Sequence, residues 1–240
     1  MARSFLTAEW RYLAMLNFGV DAEVLQPLVP AGTELDFHEG RTFLSVVGFL
    51  FLNTRVLGVP VPLHRNFEEV NLRFYVRRRA EEGWRRGVTF VRELVPRRAI
   101  AALARTFYGE PYSALPMRHA VRCKESGLSV AYEWQRAGRW ERLAMSVTGQ
   151  PQDSAADSHE EFISEHYWGY TARGAISSEY EVEHPRWRFW PATTWEFQAD
   201  IASLYGERFA HALQASPVSA FLAEGSLVQV NRRSANSIRR

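Results

Sequence analysis

Cysteine is almost missing from this chain of 240 residues: Cys123 is the only one. An internal disulfide is therefore excluded, and nothing points to an oxidising compartment. Lysine is equally scarce. Lys124 stands alone among 29 basic residues, the other 28 being arginine. A nucleotide bias of the genome accounts for that skew, yet it leaves only one side-chain amine for covalent catalysis. Long apolar runs are absent too. The longest, Phe43 to Leu52, falls well short of the ~20 residues a membrane helix needs, and the opening Met1-Ala2-Arg3-Ser4-Phe5 does not read as a signal peptide. A formal charge of +2 gives no electrostatic ground for binding nucleic acid. The expectations are a cytoplasmic protein with no membrane and no nucleic-acid partner.

Apolar material, by contrast, is plentiful. Hydrophobic residues make up 46% of the chain, with 8 Trp, 9 Tyr and 15 Phe, enough for a large core without staples. Residues 21–29 have helical spacing, ended by Pro30-Ala31-Gly32. Strand-like segments follow: 33–37 and 41–52 around His38-Glu39-Gly40, then 67–78 and 87–95 around an Arg/Glu-rich hairpin with Gly83. A helix at 97–107 buries Ile100, Leu103, Ala104 and Phe107 and stops at Gly109. Segments 117–124, 128–136 and 140–148 form a meander. Beyond 150 lie a short helix near 158–166, strands at 176–184 and 194–200, helical pieces over 201–223 and a closing strand at 226–230. Many hairpins and few helices predict an α+β fold, a mainly antiparallel barrel or sandwich with peripheral helices. Residues 1–230 read as one domain. Residues 231–240, with four arginines, read as a solvated tail.

The segment Phe67-Glu-Glu-Val-Asn-Leu-Arg-Phe-Tyr-Val76 is the most informative. Alternation puts Val70, Leu72, Phe74 and Val76 on a core face. The opposite face carries Phe67, Glu69, Asn71, Arg73 and Tyr75. It is either the wet side of a sheet or the wall of a ligand cavity, where aromatics surround a few placed polar groups. Arg73 has the geometry to clamp a carboxylate. Glu69 can pair with that arginine or act as an acid/base, its pKa falling if paired and rising if desolvated.

Several stretches together carry a resemblance: Asp21-Ala-Glu-Val-Leu-Gln-Pro-Leu-Val-Pro30, Leu35-Asp36, Phe67-x-Glu69-x-Asn71-x-Arg73-x-Tyr75-Val76, Gly109-Glu-Pro-Tyr-Ser-Ala-Leu-Pro-Met117 and His184-Pro-Arg-Trp187. Over roughly residues 8–230 the chain resembles the YqjF-like family of uncharacterised bacterial proteins, whose fold is similar to acetoacetate decarboxylase. The resemblance implies a closed β barrel around a central cavity, with the Glu69 face turned inward, and brings no activity of its own. In the decarboxylases a Gly-x-Pro motif precedes two lysines, one of which attacks a ketone while the other depresses its pKa. Here Gly109-Glu110-Pro111 is followed by Tyr112 and Ser113, and neither forms an iminium. Lys124, beside a hairpin tip, is a poor substitute. Glu69 matches the decarboxylases' cavity glutamate, whereas their anchoring arginine falls at Gly19.

Other chemistries lack motifs. His159 and His166 lie two helical turns apart, roughly 10 Å, too far to share an ion, and flank an apolar stripe of Phe162 and Ile163. No metal site and no cofactor are expected. The cluster Arg77-Arg78-Arg79 with Arg85 and Arg86 around Glu81 and Glu82 reads as a cross-strand charge lattice. Trp187, Trp190 and Trp195 read as packing. Near Gly109 stand Arg105, Tyr108, Glu110, Tyr112, Met117 and His119. Glu69 or Glu110 would serve as base, Tyr112 or His119 as acid, and Phe67, Asn71, Arg73, Tyr75, Arg105, Tyr108 and Met117 as ligand contacts. The leading expectation is a small-molecule-binding protein, its ligand anionic or aromatic, without lysine chemistry and compatible with homo-oligomers. The alternatives are a lysine-independent lyase, hydratase or isomerase, and a protein-interaction domain using the Arg-rich hairpin and tail.

Overall fold

A computed structural model describes residues 4–62, 64–107, 109–125, 127–174, 176–231 and 238–239. Long strands follow one another as hairpins: β1 (Ser4–Val20), β2 (Thr42–Val56), β3 (Phe67–Ala80) and β4 (Gly83–Val95). The β2 hairpin partner to the chain before it is entered through Glu39 and Gly40, both at positive φ, which closes His38 onto Arg41. After β4 come the helix α1 (Arg98–Phe107), the short strand β5 (Tyr112–Ala114) and a meander of β6 (Met117–Lys124), β7 (Gly127–Arg136) and β8 (Arg139–Val147). Helix α2 (His159–Ser164) is capped by the Ser158 hydroxyl, which accepts from the Glu161 N–H. Then follow β9 (Trp168–Arg173), β10 (Ile176–Glu183), β11 (Phe189–Pro191), β12 (Thr194–Gln198), helix α3 (Ile201–Tyr205) and β13 (Ser219–Asn231). Among the described residues, no helix is long and apolar enough to cross a membrane.

The expected closed barrel is only partly met. Pairings run β13–β1–β2–β3–β4–β9–β10, and β10 pairs with β13 again. The ring is uneven, because two of its seams are very short. β4 and β9 meet in parallel through Gly87–Trp168 and Val88–Gly169 alone, and β10 meets β13 through Val182–Val230 and Glu183–Gln229 alone. The strands elsewhere share eight or more residue pairs, except β9–β10 with six. The chain's last described residues, Ile238 and Arg239, pair with Ser177 and Ile176 at the edge of β10.

The outer face of the large sheet is covered by a second one, ordered β12–β8–β7–β6. Val70, Leu72, Phe74 and Val76 of β3 are fully buried in one cluster with Val130, Tyr132, Trp134, Leu143 and Met145 of the second sheet. This is the core face that alternation in β3 required. The sheets are tightly packed at Gly48, where a Cβ would lie 2.6 Å from Tyr132 Cδ2 and 2.9 Å from Leu143 Cδ2. Gly48→Ala is therefore expected to destabilise the protein by about 1–3 kcal/mol, the usual penalty for overpacking a dense core. A urea denaturation midpoint unchanged by the substitution would contradict this packing.

Four of the five hairpin arginines are ion-paired, and Arg79 lies over the Trp84 ring instead. Arg77 binds Glu34, Arg78 and Arg85 share Glu179, Arg85 also takes Glu82, and Arg86 takes Asp36. This is a charge lattice rather than a free basic patch.

Candidate functional site

The inner face of the large sheet is set by alternation and by where alternation breaks. β3 has no extra residue, so Phe67, Glu69, Asn71 and Arg73 fall on one side and line a cavity of about 130 Å³. Its neighbours are bulged, which inserts a residue and exchanges the faces of everything beyond it. In β1 the cavity side runs Leu6, Trp10, then Leu13, across a shift at Tyr12 (φ 57°). In β2 it runs Phe49, Phe51, then Thr54, across Asn53 (φ 55°). In β4 it runs Val88, Phe90, then Glu93, because Val91 is the extra residue opposite β3. Trp168, Gly169, Tyr180 and Val182 of β9 and β10, with Ser164, His166, His184 and Trp187, complete the wall. One buried water needs only about 10–15 Å³, so the space exceeds that of a single water several-fold.

Three buried glutamates meet in this cavity. Glu69 accepts from Asn71 Nδ2 at 3.0 Å and from the Tyr112 hydroxyl at 2.9 Å. Glu110 accepts from the Thr171 and Tyr180 hydroxyls at 2.6 and 3.0 Å. Glu93 Oε2 has no hydrogen-bond partner. Burial pushes Glu69 up to about 7, against the pull of its hydrogen bonds from Asn71 and Tyr112 and the charge of Arg73. Burial also raises Glu93 well above the usual carboxyl range, and the charges of Glu110 and Glu69 add to it. The Tyr112 hydroxyl is raised by burial and by the charges of Glu69, Glu93 and Tyr180, so it remains a proton donor.

At the other end stands Arg73, whose Nη2 donates to the Ile163 carbonyl at 3.2 Å and whose buried Nε has no partner. Its guanidinium lies 5.6 Å from the Tyr75 ring centre, and that ring lies 4.7 Å from His166. His166 Nε2 is 3.1 Å from Asp36 Oδ2, which also accepts from Arg86 Nε at 2.7 Å. Burial lowers His166 to about 4, so the ring is neutral at pH 7.

The sequence-expected residues divide accordingly. Glu69, Glu110, Tyr112, Phe67, Asn71 and Arg73 come together in the cavity wall. Tyr75 is buried just behind it, its hydroxyl 2.5 Å from Ser45 Oγ. His119 and Met117 are not brought in. β6 belongs to the second sheet, where His119 is exposed and binds Glu68, and Met117 packs against the outer core. Tyr108 and the Arg105 side chain lie outside the described residues. Glu93 and Tyr180 are absent from the sequence reading, and His166 enters it only as the flank of an apolar stripe, not as a site residue. The bulge at Val91 hid Glu93, since unbroken alternation points Arg92 inward instead.

A family model described as an uncharacterized conserved protein, DUF2071, matches residues 7–226. The chain belongs to this family. A relative, the uncharacterized protein YqjF of Bacillus subtilis (strain 168), is 28% identical over 183 residues, covering 74% of this chain and 72% of its own. Solved structures share the fold at low identity. An acetoacetate decarboxylase from Legionella pneumophila superposes with a TM-score of 0.65 at 13% identity, over 96% of this chain and 87% of that one. An acetoacetate decarboxylase-like enzyme from Sphingomonas wittichii RW1 gives 0.64 at 16%, over 95% and 93%. The enduracididine biosynthesis enzyme MppR, complexed with pyruvate, gives 0.60 at 12%, over 99% and 90%. This DUF2071 chain is thus α+β, mostly strand, with an acetoacetate-decarboxylase-like fold.

Proposed function

We propose that this protein binds a small carbonyl- or carboxylate-bearing metabolite in the cavity, and does so without a Schiff base. One observation carries the reading. Buried polar atoms in native proteins almost always have partners, yet six residues of this one wall hold an atom with none: Trp10 Nε1, Thr54 Oγ1, Asn71 Oδ1, Arg73 Nε, Glu93 Oε2 and His166 Nδ1. A polar ligand is the economical complement to such a set. The fold's other members support the class, since MppR is complexed with pyruvate in the same architecture. Against iminium chemistry stands the position of Lys124, which is exposed at the β6–β7 turn of the second sheet. Borohydride treatment with acetoacetate is expected to add no mass.

A second reading, lysine-independent proton transfer as in a lyase, hydratase or isomerase, is favoured by Glu69. A carboxyl near pH 7 with a tyrosine hydroxyl on one oxygen is matched to general acid–base work. Pyruvate and acetoacetate incubated with the protein in heavy water should then gain deuterium at a carbon adjacent to the ketone, and Glu69→Gln should slow this about 100-fold or more. Binding with no exchange would leave the passive binder standing. Absence of binding by every small oxo acid, hydroxy acid and simple carboxylate tried would remove both readings.

A further inference from the structure

The end of the cavity at Arg73 and His166 specifies more than a generic anion. Asp36 Oδ2 accepts from Arg86 Nε at 2.7 Å, and it lies 3.1 Å from His166 Nε2. Burial alone would raise Asp36, but the hydrogen bonds from His166 and Arg86 outweigh it and hold the carboxyl ionised. An ionised carboxylate only accepts, so the nitrogen facing it must carry the proton. His166 is neutral, with its side chain 1% exposed. Its second nitrogen, Nδ1, is therefore a bare lone pair, buried and without a partner. Asp36 is outside the cavity wall and His166 is part of it.

Arg73 supplies the opposite polarity across the Tyr75 ring, close enough for its charge to disfavour charge on His166. Its Nη2 is tied to the carbonyl of Ile163, three residues before His166, and the Tyr75 ring sits against both side chains. Its Nε–H is a buried cationic donor with no acceptor. A complementary ligand needs an anionic acceptor for Arg73 and, next to it, a hydrogen-bond donor for His166 Nδ1.

We infer that the ligand is a 2-hydroxy monocarboxylic acid, its carboxylate on Arg73 and its hydroxyl donating to His166 Nδ1. The inference rests on reading the cavity as a small-molecule site. A 2-oxo acid offers only acceptors, so it sets a carbonyl lone pair against the imidazole lone pair. A 2-amino acid has the donor but brings a cation into the field of Arg73 and Arg86, both of which already disfavour charge on His166. A second carboxylate would meet Glu69, Glu93 and Glu110 at the far end. A buried acceptor left unpaired weakens binding by roughly tenfold or more.

The test uses the full chain with 15N-labelled histidine, titrated with lactate, pyruvate, alanine and propionate. Before ligand, His166 should show a proton on Nε2 and none on Nδ1. Lactate should bind at least tenfold more tightly than the other three and move the Nδ1 resonance, and His166→Phe should bring the lactate-to-pyruvate ratio to about one. Should that variant not fold, the wild-type ratio and tautomer decide. A proton on Nδ1 in the free protein, or pyruvate binding as well as lactate with Nδ1 unmoved, overturns the inference and leaves the small-molecule reading in place. Failure of all four acids to bind overturns both.

Discussion

Replacing Glu69 with glutamine is expected to make the protein more stable at pH 8, and the gain should grow by roughly 2–3 kcal/mol between pH 5 and pH 8. The folded pKa of Glu69 is near 7, raised by burial above the ordinary 4.5 of the unfolded chain. Between those values the folded state holds a proton that the unfolded state has released. Wild-type stability from this group is therefore fully present below pH 4.5 and is lost as pH rises through 7. Glutamine keeps the local bonding, its oxygen accepting from Asn71 and its amide donating to the Tyr112 oxygen, and has nothing to titrate. His166 acts in the other direction. Its folded pKa near 4 lies below the ordinary 6.5, so its contribution is present above 6.5 and lost as pH falls through 4. Both proteins contain it, and it cancels from their difference. Urea midpoints of the two proteins at pH 5, 6, 7 and 8 make the measurement, and a gap independent of pH would show that Glu69 is not desolvated. A stabilising change at Glu69 would accord with the acid–base role proposed for it, since stability is commonly given up at groups that serve function.

Period-two patterning made β3 legible because that strand is regular: Phe67, Glu69, Asn71 and Arg73 share a face in sequence and in space. The same rule failed wherever a bulge intervened. β1, the longest strand among the described residues, has no single alternating phase to recognise, since its apolar phase moves at Tyr12 from Ala8 and Trp10 to Leu13 and Met15. Glu93 was concealed by Val91 in the same way. β9 was missed because six residues containing a glycine, Trp168–Arg173, carry little pattern. His119 was misjudged for a different reason. Nearness in sequence to Gly109 suggested nearness in space, whereas β6 leaves the large sheet for the second one three residues after β5. The Asp36–His166 pair spans 130 positions, and no local pattern in one sequence announces such a meeting. Ring closure is in the same class, for each of its two short seams depends on two residue pairs.

One of those seams supplies the other large effect. Gly169 of β9 pairs in parallel with Val88 and, on its other side, faces Tyr180 of β10. A Cβ there would overlap the Tyr180 ring at Cζ and come within 2.5 Å of its hydroxyl oxygen. The ring cannot yield cheaply, because its hydroxyl is fixed to Glu110 at 3.0 Å inside the cavity. Gly169→Ala is therefore expected to cost about 2–4 kcal/mol, larger than an ordinary surface change because overpacking combines with loss of a buried hydrogen bond. It should also weaken the binding proposed for the cavity, since Gly169, Tyr180 and Glu110 all line the wall. Adding Tyr180→Ala removes the obstacle. If the clash is the cause, Tyr180→Ala should destabilise Gly169→Ala far less than it destabilises wild type, a coupling of at least about 1 kcal/mol measured by a double-mutant cycle. Strict additivity would place the damage in the β4–β9 seam itself. The alanine would then be weakening strand pairing at Val88, and Tyr180 would be free to move without consequence for the cavity.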